Sequence, residues 1–341
     1  MAYKFSSLKA VLDIFSNNDL LGVTEIATKL NKSNVIIHKY VKELVKQGKI
    51  IKTGVGPMVK YVLNSKALES VNIVNNNQEI LTVNFNYSDK KLLDEIFLKF
   101  SPDGRILKGY EGFISWCREK NMDPTLKFSS LANIHLHIQK IQDDCGVIDA
   151  IKAFGKDFEK IYIDNIYYAD QYNWMEFGRG KLAEMSFYGK QSQNKILISE
   201  CINEIIYKLE CLISRGGYDA IAIIPWSIDR KNQFLGILKN RLKILNTPFV
   251  NIIKYYPNSI AIPQKSLKTR EQRIQNARNT IFVDDDNLDN YKKILLIDDF
   301  VGSGSTINET AKKLKEGLDK KIDAFAFVGN LNLSYDVINE I

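Results

Sequence analysis

The segment Lys293 to Thr306, KILLIDDFVGSGST, constrains this chain more than any other. Ile294 to Ile297 are four apolar residues in a row, the pattern of a short strand buried on both faces in a parallel sheet. Two carboxylates, Asp298 and Asp299, follow where that strand should surface. Val301, Gly302, Ser303, Gly304, Ser305 and Thr306 then form a small-residue turn, and Ile307, Thr310, Ala311 and Leu314 continue at helical spacing. A strand, a Gly/Ser/Thr turn and a helix together can cradle an anion. Glycines admit close approach of the backbone, hydroxyls donate hydrogen bonds, and the helix N-terminus offers free N–H groups. In an open α/β sheet, ligands sit beyond the carboxyl ends of the strands. The neutral donors suit a phosphate there, and the paired acids suit a sugar diol. A Walker-type nucleotide loop is excluded, because Ser305-Thr306 stands where that motif needs Lys before Ser/Thr.

The string ILLIDDFVGSGST resembles the phosphoribosyl-pyrophosphate (PRPP) motif of type I phosphoribosyltransferases. That motif is a hydrophobic strand, paired acids, two variable residues and a small-residue loop ending in Gly-x-Thr. By this resemblance Asp298 and Asp299 are the catalytic pair at the ribose hydroxyls. Val301 through Thr306 form the PRPP-binding loop, with residues 302 to 306 around the 5′-phosphate. Gly302 stands where the family often has Thr or Ser, which removes one hydroxyl and keeps the backbone donors. Residues 170 to 330 are similar to the ComF-like branch of the family, through FGRGKLAEMSFYGK, IIPWSIDRKNQ and QKSLKTREQRIQNAR. The resemblance implies that Arg230 and Lys231 lie in a pyrophosphate loop. It further implies that Lys265, Lys268, Arg270 and Arg273 belong to a mobile lid, a long loop from 257 to 280. Magnesium is expected to arrive bound to PRPP, with no metal site of the protein's own.

At 341 residues the chain is long enough for two or three domains. The expected division is a winged helix-turn-helix over 1–65, a linker and helical region over 66–165, and a mostly parallel α/β domain over 166–341. There is no apolar run of 18 residues and no signal-peptide pattern at MAYKFSSLKAVLDIF, so a cytoplasmic protein is expected. Cys117, Cys145, Cys201 and Cys211 are widely spaced, which suggests buried reduced thiols rather than disulfides or zinc.

Residues 1 to 65 hold ten lysines and no arginine against four acids, which is about +6 of the chain's net +7. Such a concentration marks a polyanion-binding module. Leu8, Val11, Leu12 and Phe15 form one helical stripe. Thr24 is placed to cap a second helix through Ile26, Ala27 and Leu30, and a third carries Ile37, Val41 and Leu44 and stops at Gly48. KIIKTGVGPMVKYVL reads as a hairpin turning around residues 53–57. The set looks like a winged helix-turn-helix. If it binds DNA, Asn34, His38, Lys39 and Lys42 enter the major groove and Lys52 and Lys60 on the wing contact phosphate. Protein docking or dimerisation is the alternative use of such a module.

Residues 65 to 80 are polar and Asn-rich, and 88 to 165 are mainly helical in pattern, with a helix expected to start at Ser88-Asp89. His135 and His137, at i and i+2, point to different helix faces and make a poor zinc pair. From about 170 the pattern alternates: two Gly-marked turns, a long helix through Ile196 to Leu209, and strands at YDAIAIIP, FVNIIKYY, KILLID and IDAFAFV. Asp284 to Asp286 read as a solvated turn. The leading function is PRPP-dependent phosphoribosyl transfer beside a DNA-binding module. The alternatives are a transcription regulator that senses PRPP or a nucleotide without turnover, and a nucleic-acid uptake or defence protein. The acceptor and the oligomeric state, a homodimer among the options, are left open.

Overall fold

The computed structural model describes residues 8, 10–15, 20–54, 56, 59–64, 85–154, 158–256 and 260–331, with the side chain of Lys265 left outside that description. The chain divides into two compact units, residues 1–82 and 83–341. Among the described residues no helix is long and apolar enough to cross a membrane.

In the first unit, α1 (Val23–Leu30) and α2 (Asn34–Lys46) precede a hairpin of β1 (Ile50–Thr53) and β2 (Lys60–Leu63). Gly22, not Thr24, caps α1, and its N–H donates to the Glu25 carboxylate at 2.6 Å. Asn31 leaves the helix in the left-handed region (φ 52°) and makes the turn into α2. The core combines Val11 and Phe15 with Ile26, Ile37, Val41, Leu44, Ile50 and Tyr61, as the apolar spacing expects. Val55 and Pro57 of the expected turn, and residues 65–80, lie outside the described residues.

The second unit is α/β, built on a six-stranded, mostly parallel sheet. Its helical layer comes first: α3 (Tyr87–Ile96), the hairpin β3 (Leu98–Phe100) and β4 (Ile106–Lys108), α4 (Gly109–Lys120) and α5 (Pro124–Ile141). Asn86 caps α3 two residues before Ser88, the expected start, accepting from the Asp89 N–H at 2.8 Å. Then follow β5 (Ile148–Asp149), the short α6 (Ile151–Phe154), β6 (Asn165–Gln171), α7 (Lys181–Ser192) and α8 (Lys195–Gly216). The chain continues through β7 (Ala220–Ile223), α9 (Phe234–Leu242), β8 (Phe249–Val250), β9 (Ile252–Lys254), α10 (Arg270–Thr280) and β10 (Ile281–Val283). It ends in β11 (Lys293–Val301), α11 (Ser305–Lys315) and β12 (Lys321–Gly329).

Strand order is β5-β6-β12-β11-β7-β8, with only β5 antiparallel to its neighbour. The four-residue apolar run of β11 divides between the two faces. Ile294 and Leu296 pack with the helical layer and α11, while Leu295 and Ile297 pack against α7, α8 and α9. The division expected at 165 has no counterpart among these units. The helical layer shares a core with the sheet, and Ile148 and Asp149 extend the sheet against Tyr168 and Tyr167.

Three expectations are corrected. FVNIIKYY is two strands: β8 ends the main sheet, and β9 pairs instead with β10 in a separate antiparallel ribbon. The segment expected to be a long loop holds α10, capped by Thr269, whose hydroxyl accepts from the Gln272 N–H at 3.2 Å. Cys145 and Cys211 form a disulfide, while Cys117 and Cys201 are buried free thiols. The cysteine spacing could not reveal the pair, because sheet formation brings a turn before β5 onto α8 across 66 residues.

Candidate functional site

β11 delivers Asp298 and Asp299 to the carboxyl end of the sheet. Asp299 is 5 % exposed, and its Oδ2 accepts from the Lys190 ammonium at 2.5 Å. Asp298 turns its Oδ1 back to the Asp299 N–H at 2.8 Å. Burial and the neighbouring Asp299 charge raise the Asp298 carboxyl to about 8, against the pull of Lys190. Burial alone would lower the Lys190 ammonium, but Asp299 and then Asp298 hold it above its usual value. The site is therefore a compact acid pair with one fixed cation.

The turn that follows is shaped for an anion. Gly304 sits in the left-handed region (φ 73°) as N-cap of α11, and no side chain caps that helix. The first α11 N–H bonded back along the chain is that of Asn308, to the Gly304 carbonyl at 2.9 Å. The N–H groups of Ser305, Thr306 and Ile307 thus face the turn at the positive end of the helix dipole. The Ser303 and Ser305 hydroxyls lie 3.1 Å apart. Val301 is buried, Gly302 and Thr306 are partly exposed, and Asn308 ties the helix to the Tyr162 N–H at 2.8 Å and the Lys160 carbonyl at 2.9 Å.

The loop after β7 reaches the same place. Arg230 donates to the Lys190 carbonyl, and Asn232 donates to the Gln193 carbonyl at 2.7 Å. Lys231 is exposed. Lys254, at the end of β9, donates to the Ser227 hydroxyl of this loop at 2.9 Å. Burial lowers its ammonium to about 8, opposed by the charge of Asp298. Sequence reasoning missed both Lys190 and Lys254. The signal for Lys254 was present: it is the one charge in FVNIIKYY. Lys190 ends the quoted FYGK but carries no pattern of its own.

The residues assigned to a lid divide. The Arg270 guanidinium lies 5.1 Å over the Phe158 ring, which stacks on Phe154 at 5.1 Å, and Phe154 abuts Gly304. Arg273 donates to the Leu267 carbonyl at 3.1 Å, so it folds its own segment. Lys268 is exposed, and the Lys265 side chain is outside the described residues. Asp284 and Asp285 make turn contacts with Asn251. His135 stacks on Trp174 at 6.3 Å.

In the first unit, Asn34, His38, Lys39, Lys42, Lys52 and Lys60 are all exposed. Of the α2 residues, His38, Lys39 and Lys42 turn away from Ile37, Val41 and Leu44, whereas Asn34, three positions before Ile37, lies on the side of that stripe and is exposed at the first turn. Lys60 pairs with Glu25 at 3.7 Å, an exposed contact that leaves most of its charge to solvent.

No protein-family model and no curated protein matches the chain.

Proposed function

We propose that the second unit binds PRPP or a phosphoribosylated nucleotide and transfers the phosphoribosyl group with release of pyrophosphate, and that the first unit binds DNA. One observation carries the transfer reading: paired acids at the carboxyl end of β11 run through a left-handed glycine into a helix N-terminus that no side chain caps. Ribose hydroxyls donate to Asp298 and Asp299. The turn hydroxyls and the open N–H groups of α11 hold the 5′-phosphate. Lys254 and the Arg230-Lys231 loop supply positive charge for the pyrophosphate, which stabilises the charge that develops as the C1–O bond breaks. Lys190 orients Asp299 through their ion pair.

The oxygen-only donors of the acid pair suit Mg²⁺ carried in by PRPP, and no cluster of three metal-ligating side chains occurs among the described residues. When bound, that ion neutralises pyrophosphate charge.

The test incubates the protein with PRPP, Mg²⁺ and a panel of bases and measures pyrophosphate. Turnover that Asp298→Asn and Asp299→Asn abolish supports an enzyme. A second reading, a PRPP-sensing regulator, is favoured by the exposed basic side of α2. It predicts a PRPP-dependent shift in DNA affinity with no pyrophosphate. Absence of both turnover and such a shift would overturn both readings.

A further inference from the structure

α2 presents one row of exposed side chains on the side turned away from its core residues. Val35, Lys39, Lys42 and Lys46 stand at i, i+4, i+7 and i+11, and all four are exposed. Ile37, Val41 and Leu44 occupy the other side and anchor the helix in the core of the first unit. Val35 is the one apolar member of the row, and it is 67 % exposed. Ile36, beside it in the first turn, is 41 % exposed. A single exposed aliphatic is ordinary on a protein surface. This one is set apart by its company, because it heads a line of ammonium groups that suits a polyanion. A polyanion gives a valine nothing to pack against unless it also carries an apolar group.

We propose that Val35 reads the 5-methyl group of a thymine in the major groove, which makes the first unit selective among duplex DNA sequences by where they carry thymine. The inference rests on the DNA-binding reading above and names what that face recognises. Three arguments support it. The thymine methyl is the apolar group that base pairs expose in the major groove, and aliphatic side chains meet it there. In a helix-turn-helix the N-terminal residues of the second helix reach the base edges, and Val35 is the second residue of α2. At ~1.5 Å of rise per residue the lysines then continue the row for roughly 16 Å beyond the valine, which keeps positive charge along the groove. Finally, residues 1 to 65 contain no arginine, so the rigid guanidinium fork that most often selects guanine is missing from this unit. Lysine attracts every duplex alike, whereas Val35 supplies a difference between bases. A methyl packed against valine sheds water from both surfaces, a gain that unmethylated cytosine and uracil do not offer.

The experiment selects tight-binding duplexes from a random-sequence DNA pool with the full chain. Fluorescence anisotropy then measures the affinity of a selected duplex with each thymine replaced in turn by uracil. Uracil pairs as thymine does and lacks only the methyl, so the phosphates and the minor-groove edges are unchanged. The expected result is a loss of about fourfold in affinity at one thymine or more, the worth of one buried methyl, and no such loss in Val35→Ser. Lys52→Ala is the control, and it should weaken the thymine and uracil duplexes equally. Equal affinity for every uracil-substituted duplex, a selection that enriches no sequence, or a uracil penalty that persists in Val35→Ser would overturn the proposal and leave DNA binding standing. Failure to bind any duplex would overturn both, and self-association that depends on Val35, read by sedimentation, would then assign the face to a second copy of the chain.

Discussion

Gly304 meets two demands at once. Its φ of 73° strains any residue with a Cβ, and a Cβ there would lie 2.4 Å from the Phe154 ring. Gly304→Ala should therefore cost about 1–3 kcal/mol, read as a lower urea midpoint, together with weaker PRPP binding. An unchanged midpoint would remove the geometric argument for the turn. The need for glycine was legible in GSGST, but Phe154 was not, because it lies 150 positions earlier in the chain. Asp298 gives a second prediction. Its folded carboxyl titrates near 8, well above the unfolded value, so the native state binds more protons across that window. Stability should be greatest at low pH and fall as pH rises toward 8. Asp298→Asn should stabilise the chain at pH 8 and change little at pH 4, a contrast that thermal melts at the two pH values measure directly. Equal effects at both would place the carboxyl in solvent.

At the scale of elements, β11 and its turn were readable because one short run of sequence contains strand, acids, loop and helix. α10 was not. REQRIQNARNT has no apolar stripe, and the helix holds its place through buried Ala277 and Thr280 and a two-pronged contact from Arg278 to Glu309 at 3.1 and 3.3 Å. Glu309 is 5 % exposed. Arg278→Ala strands that carboxylate and should destabilise by about 1–3 kcal/mol, whereas Glu309→Leu should cost less; denaturant melts of the two variants decide the order. α7 was hidden for a different reason: Gly178, Gly180 and Gly189 read as turn signals, although Gly189 lies inside the helix beneath Ile198. Lys254 on β9 offers a test that separates function from stability. Because burial holds its ammonium down near 8, the folded protein at neutral pH carries a costly buried charge. Lys254→Met should raise the melting temperature at pH 7 and by less toward pH 10, while weakening pyrophosphate binding. A variant that lost stability at pH 7 would make Lys254 a structural residue.

At the scale of the molecule, the α/β class and the buried central strand followed from the alternation of strands and helices. The disulfide did not, since no local spacing marks two cysteines 66 residues apart. Closing that span should contribute roughly 4 kcal/mol by the chain-entropy model, so Cys145→Ser or added reductant should lower the denaturation midpoint of the second unit. The basic first fifth of the chain makes a separate prediction. Lys52→Ala and Lys60→Ala, assigned to phosphate, should each weaken DNA binding and reduce its salt slope by about 1; an unaltered slope would assign the face to a protein partner. The central claim concerns the acid pair and its turn, and calorimetric titration of the full chain with PRPP and Mg²⁺ tests it most directly. The account predicts saturable binding that Asp298→Asn and Asp299→Asn each weaken at least about tenfold; wild-type protein that releases no binding heat, or variants that bind as the wild type does, would contradict it.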